Sequence, residues 1–141
     1  MKTADRYRTF EEFWPYYVKE HQKKATRLLH FAGTTAAMGC LAGAAVFKSR
    51  WLLLAAPVVG YGPAWVGHLF VEKNRPASFS HPLWSLRADL VMWTKMLRGG
   101  MDAEVERVLA EDAERAAAVR AAESEAPASG ERRPATGDAF N

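Results

Sequence analysis

Two apolar runs separated by a short polar turn constrain this chain more than any other feature. "FAGTTAAMGCLAGAAVF" occupies residues 31–47, "KSR" follows, and "WLLLAAPVVGYGPAWVGHLFV" occupies residues 51–71. Neither run contains Asp, Glu, Lys or Arg. The first is near the lower limit of the roughly 17–25 residues that cross the hydrocarbon of a bilayer, and the second is long enough. The second run also holds Pro57, Gly60, Gly62, Pro63 and Gly67. In a water-exposed helix each glycine would cost about 1 kcal/mol and each interior proline about 3 kcal/mol. Membrane helices tolerate such interruptions where neighbouring helices or a cavity satisfy the freed backbone. The Gly, Ala and Thr of the first run allow helices to approach closely. The pattern predicts an all-α membrane protein built on an apolar hairpin, with a soluble all-helical core as the alternative.

The flanks read as helices of other kinds. Thr9 followed by Glu12 is a capping-box pattern. Phe10, Phe13, Trp14 and Tyr17 then recur at three- and four-residue steps, as one face of an amphipathic N-terminal helix requires. That stripe suits either the headgroup layer or packing on the rest of the protein. Pro15 interrupts or bends this helix. "EKNRPASFSHP" has loop composition, and Pro82 suits the first position of a further helix over residues 82–98. Leu83, Leu86, Leu90, Trp93 and Leu97 form its apolar stripe, which suits a tilted span or an interfacial helix. The expected layout is a helical membrane domain over residues 1–100, a charged exposed helix over 101–122 and a disordered tail over 123–141.

Charge divides the chain in the same place. From Asp102 onward there are five Arg and ten Asp/Glu, whereas the segment up to Met101 has fourteen Lys/Arg and six Asp/Glu. A basic body with an apolar centre suits an anionic lipid surface. Nucleic acid is disfavoured as a partner, because no helix-turn-helix, zinc-finger or RNP pattern is present. The single cysteine, Cys40, excludes an internal disulfide and is expected as a small buried hydrophobe. Charge throughout the first thirty residues argues against a signal peptide. An even number of crossings would leave both ends on the cytoplasmic side, and the short loops and Ala/Arg-rich tail suggest a bacterial inner membrane.

Each of the four histidines, His21, His30, His68 and His81, lies at or just inside the boundary of an apolar segment. A buried polar ring needs a partner, and metal coordination provides one. A capping or interfacial role is the plain alternative for each. His21 and His30 are nine residues apart, which puts them on opposite faces of a continuous helix at about 100° per residue. If they share a metal, the helix must bend or break between Glu20 and His30, or two metals must be present. Tyr61, Trp65, His68 and Glu72 fall on one helical stripe, so Glu72 is a candidate to orient His68 through its second ring nitrogen. Asp89 is the only acid between Lys73 and Met101, and it reads first as the ion-pair partner of Arg87 or a neighbouring base. Lys23, Lys24, Arg27 and Arg75 are candidates for a carboxylate or phosphate group.

"FWPYYVKEHQKKATRLLHFAGT" and "GYGPAWVGHLFVEKNRPASFSHPLWSLRADLVMW" resemble the two signature blocks of the Mpo1-like family. The resemblance implies a small helical membrane protein. It also implies an Fe(II)-dependent dioxygenase that shortens 2-hydroxy fatty acids by one carbon with release of CO2, as the characterised yeast member does in the endoplasmic reticulum. By the same resemblance His21, His30, His68 and His81 hold the iron. Arg27 or Arg75 would hold the substrate carboxylate, and Glu20, Glu72, Asn74 and Asp89 occupy further signature positions around the ligands. The implied partners are a 2-hydroxy fatty acid, O2 and membrane lipid. Two other readings remain beside this one: a non-catalytic membrane protein that binds headgroups or a partner, and a zinc or di-metal lipid enzyme.

Overall fold

In the computed structural model residues 7–125 are described, and they contain five α-helices with no strand among them. Contacts group the chain up to Ala110 as one unit and the chain from Glu111 as another. Helix α1 spans Phe10–Lys19, α2 Lys24–Phe47, α3 Arg50–Val66, α4 Pro82–Leu97 and α5 Met101–Glu125. Of the tail expected to be disordered, residues 123–125 are helical and residues 126–141 lie outside the described residues.

Helix α1 begins as its sequence predicts. The Thr9 side chain accepts a hydrogen bond from Glu12 N at 3.3 Å, and the Glu12 carboxylate accepts from Arg8 N at 2.8 Å. Pro15 sits inside the helix without ending it. The aromatic stripe packs inward: Phe10, Phe13, Trp14 and Tyr17 are all buried, together with Ala88 and Met92 of α4 and Met101, Val105 and Val108 of α5. The core therefore reaches past residue 100, and the start of the expected exposed helix is one of its walls. Trp14 Nε1 donates to Glu104 Oε1 at 2.7 Å, which fastens α1 to α5.

Helices α2 and α3 form the predicted hairpin, turned by Lys48 and Ser49 with Lys48 in the left-handed region at φ 52°. The two helices touch at glycines. A Cβ on Gly33 would lie 2.5 Å from the backbone oxygen of Gly60, and one on Gly67 would lie 3.0 Å from Thr26 Cγ2. Only hydrogen at Gly33 permits that spacing, because the atom a methyl would meet is backbone, whereas at Gly67 the contact is tight. Pro57 and Pro63 lie within α3 without breaking it, but after Val66 the helix widens into a π-helical turn over Gly67–Glu72, which Lys73 ends at φ 60°.

The outer surface of this hairpin is apolar. Val46, Phe47, Trp51, Leu54, Val58 and Phe70 are all exposed. Both Lys24–Phe47 and the continuous segment Arg50–Glu72 are long and apolar enough to cross a membrane. Cys40 is only partly buried rather than a core residue. The leucine stripe of α4 also faces outward, with Leu83, Leu86, Leu90 and Leu97 exposed, while Ser85, Ala88 and Met92 form its buried face. A surface of this composition suits hydrocarbon better than water.

Candidate metal centre

The chain breaks where a shared histidine site would require it. Helix α1 stops at Lys19 and α2 starts at Lys24, so His21 falls in the connecting turn and His30 two turns into α2. The turn is tied down on two sides. Arg27 donates from Nη1 to the carbonyl oxygens of His21, at 2.9 Å, and Gln22, and its Nη2 pairs with Asp102 at 2.6 Å. Lys23 N donates to Glu72 Oε1 at 2.7 Å, and Lys23 Nζ reaches the carbonyl of Val71. His68 arrives from the opposite side, on the π-helical turn that ends α3.

Three histidines meet. His21, His30 and His68 are 0 %, 5 % and 2 % exposed, and their rings lie edge to face. His30 Nε2 is 3.2 Å from His21 Nε2 and 3.2 Å from His68 Nε2. Two nitrogens bound to one ion at about 2.1 Å stand about 3.0–3.4 Å apart, for angles between square and tetrahedral.

For neutral rings, the outer nitrogens exclude a mutual hydrogen bond as the reason for this approach. His21 Nδ1 donates to the Tyr17 carbonyl at 2.6 Å, His30 Nδ1 to Asp89 Oδ1 at 2.9 Å, and His68 Nδ1 to Asn74 Oδ1 at 2.8 Å. The Asn74 amide cannot be turned over, because its Nδ2 donates to the backbone oxygen and to Oε2 of Glu20. With each Nδ1 proton so committed, the neutral rings direct three Nε2 lone pairs at one another. Three lone pairs at this distance repel unless a cation lies between them. The donor set therefore fits a metal ion, with outer partners that fix tautomer and ring orientation.

Several side chains hold this arrangement. Tyr17 stacks on His21 with ring centroids 4.0 Å apart and donates its hydroxyl to Asp89 Oδ1. Burial first and Asp89 second push the Tyr17 hydroxyl well above its ordinary range, so it stays a donor. Burial, reinforced by His30 and His68, pushes His21 well below the usual histidine range and favours the neutral ring that a metal requires. Burial raises the Glu20 carboxyl.

The sequence-predicted residues separate into groups. His21, His30 and His68 come together as one candidate metal group, with Asn74, Asp89 and Glu20 behind them. His81 stands apart. It is buried, its ring packs 5.4 Å from Phe13 and 5.5 Å from Tyr7, and neither ring nitrogen has a partner among the described residues. Glu72 does not orient His68; its carboxylate reaches the Lys23 backbone, and the shorter Asn74 takes the ring nitrogen because the chain turns sharply at Lys73. Asp89 pairs with His30 and Tyr17, whereas Arg87 lies over the Phe10 ring at 4.0 Å. Arg27 is committed to the turn and Asp102, and Arg75 lies over Phe79 at 5.4 Å.

Tyr17 and Ser85 are the site residues that the sequence reading missed. Tyr17 lies four residues before His21, a spacing that places both on one face, but its aromatic stripe pointed only to packing. A chamber of about 10 Å³ beside the three histidines is lined by Tyr17, Tyr61, Trp65 and Ser85, among others. Such a volume holds about one water. Ser85 is 3 % exposed, and its Oγ has no hydrogen-bond partner among the described residues.

No curated protein and no solved structure matches the chain. The family model described as "2-hydroxy-palmitic acid dioxygenase Mpo1-like" matches residues 7–101, which include every member of the three-histidine group and its supporting partners. By that match over two thirds of its length, the chain belongs to the Mpo1-like family.

Proposed function

We propose that this protein is an integral membrane Fe(II)-dependent dioxygenase that shortens 2-hydroxy fatty acids by one carbon. The observation that carries this reading is the convergence of the His21, His30 and His68 Nε2 lone pairs, each fixed by an outward Nδ1 hydrogen bond. Three neutral imidazoles suit iron and zinc alike. The dioxygenase activity in the family's description favours iron over zinc, because a dioxygenase needs a redox-active metal and zinc has no redox chemistry.

The reaction balances with O2 as the only oxidant. One 2-hydroxy acid and one O2 give the acid one carbon shorter, CO2 and water. The bond between C1 and C2 breaks, C2 rises from alcohol to carboxyl level, and O2 is fully reduced. Bound iron supplies the electron transfer to O2 that the protein's own side chains cannot provide.

The chain's residues do the rest. His21, His30 and His68 hold the ion, and Asp89, Asn74 and the Tyr17 carbonyl keep their rings oriented. The Ser85 hydroxyl, buried in the chamber and free to turn, offers a hydrogen bond to the substrate's carboxylate or 2-hydroxyl. Tyr61 and Trp65 wall the chamber and limit water beside the reacting carbons. The α2–α3 hairpin lies in the bilayer, which brings the site to the lipid that carries the substrate.

Anaerobically purified protein is expected to contain about one iron per chain. It should consume O2 only when a 2-hydroxy fatty acid is added. His68→Ala should lose both the metal and the oxygen uptake. A metal-free wild type, or full activity in His68→Ala, would overturn the reading.

A further inference from the structure

A cavity of about 410 Å³ lies between α2, α3 and α4 and leads away from the histidines. It shares His30, Tyr61, Ala64 and Asp89 with the small chamber, so the two spaces meet at the ligand His30. Beyond that junction its walls are almost wholly apolar, with Ala37 and Leu41 on α2 and Leu53 and Ala56 on α3. Leu86 and Leu90 of α4 cover the end near the histidines.

Its length follows from helix geometry. On α2 the lining runs from His30 to Leu41, and on antiparallel α3 from Ala64 back to Leu53. Each interval is eleven residues, about 16 Å at 1.5 Å per residue. One leaflet of hydrocarbon is about 15 Å deep, half of the roughly 30 Å bilayer core. Histidines and Asp89 at one end and an apolar channel about one leaflet long describe a ligand with one polar head and one extended tail.

We propose that this cavity is the acyl site of the enzyme and that it selects chain length, with Ala56 setting the width about three-quarters of the way along and Leu41 and Leu53 closing the far end. The proposal rests on the functional reading above for the identity of the head, and it adds which residues measure the tail. Ala56 is 4 % exposed and faces the channel, so a larger side chain there shortens the usable depth. Leu41 is 48 % exposed, so trimming it lengthens the channel without removing a core contact.

The test uses the metal-loaded full chain in lipid nanodiscs. Binding of hexadecanoic and dodecanoic acids, which lack the 2-hydroxyl and are not turned over, is measured by native mass spectrometry. Oxygen uptake is measured in parallel with their 2-hydroxy counterparts. Ala56→Leu is expected to weaken hexadecanoic acid about tenfold or more relative to dodecanoic acid, the scale on which apolar pockets discriminate by size. Leu41→Ala is expected to move the preference towards longer chains. Unchanged length preference in both variants, with wild-type turnover intact, overturns the acyl site and leaves the dioxygenase reading standing. Retained phospholipid that neither acid displaces also overturns it. A length preference that shifts as expected, in a protein that oxidises no 2-hydroxy acid, supports the acyl site and sinks the dioxygenase reading instead.

Discussion

Asn74 decides which nitrogen of His68 faces the other two histidines. Its Oδ1 takes the Nδ1 proton, and Glu20 keeps the amide from turning over. Asn74→Leu is therefore expected to weaken metal binding by about 10–100-fold, the usual effect of removing such an outer partner. A metal titration followed by competition with a chelator measures it. His81 provides the contrast. Its ring nitrogens have no partner among the described residues and it packs among aromatic rings, so His81→Phe should keep full metal content and lose no thermal stability. Loss of metal in His81→Phe would restore it as a ligand. At this scale the sequence exposed the histidines that meet but not their tautomers. Position at an apolar boundary marked all four histidines alike and did not separate His81 from the three that meet. The roles of Asn74 and Tyr17 depend on a chain reversal at Lys73 and on the break after Lys19, and neither has a period that can be read along the sequence.

At the scale of elements, the hairpin was legible because composition alone marks it, from the uncharged runs to the basic turn. The close approach of its arms was legible only as a supply of glycines. Gly33 shows which glycine matters: a methyl there would meet the Gly60 backbone oxygen at 2.5 Å, and backbone cannot move aside as a side chain does. Gly33→Ala is expected to destabilise the protein by about 1–3 kcal/mol, the range for overpacking. Gly39, on the same helix, has open space where a methyl group would stand, with nothing within 4 Å. Gly39→Ala should instead be neutral or slightly stabilising through helix propensity. Thermal unfolding of both variants in one detergent separates the two effects. The outward face of α4 was the least legible. Leucines at helical spacing look the same whether they meet a protein core or hydrocarbon, and only the burial of Ser85, Ala88 and Met92 shows which face turned inward.

For the unit that ends at Ala110, the seam between α1, α4 and α5 is expected to be acid-sensitive. Glu104 receives Arg107, Trp14 Nε1 and Lys95, and its carboxyl is lowered from 4.5 to about 2, with Arg107 the largest cause. Asp102 is lowered too, chiefly by Arg27. A carboxyl whose folded value lies below its unfolded value contributes stability that is fully present above the unfolded value and is lost as pH falls towards the folded one. The seam should therefore hold above about pH 4.5 and weaken between there and about pH 2. Glu104→Gln should reduce that acid dependence. The fluorescence of Trp14 in variants lacking the other tryptophans reports the change, and an equal acid transition in Glu104→Gln would count against it.

The far end of the long cavity is closed by side chains that are themselves half-exposed on the apolar surface of the hairpin. With the hairpin in the bilayer, as proposed above, a ligand reaching it from the side passes through no water. The quantity that governs occupancy is then the mole fraction of substrate within the bilayer rather than its concentration in the bulk phase. Adding unsubstituted lipid at fixed total substrate dilutes the reactant in the two dimensions where it is met, and saturation becomes a property of the membrane's composition.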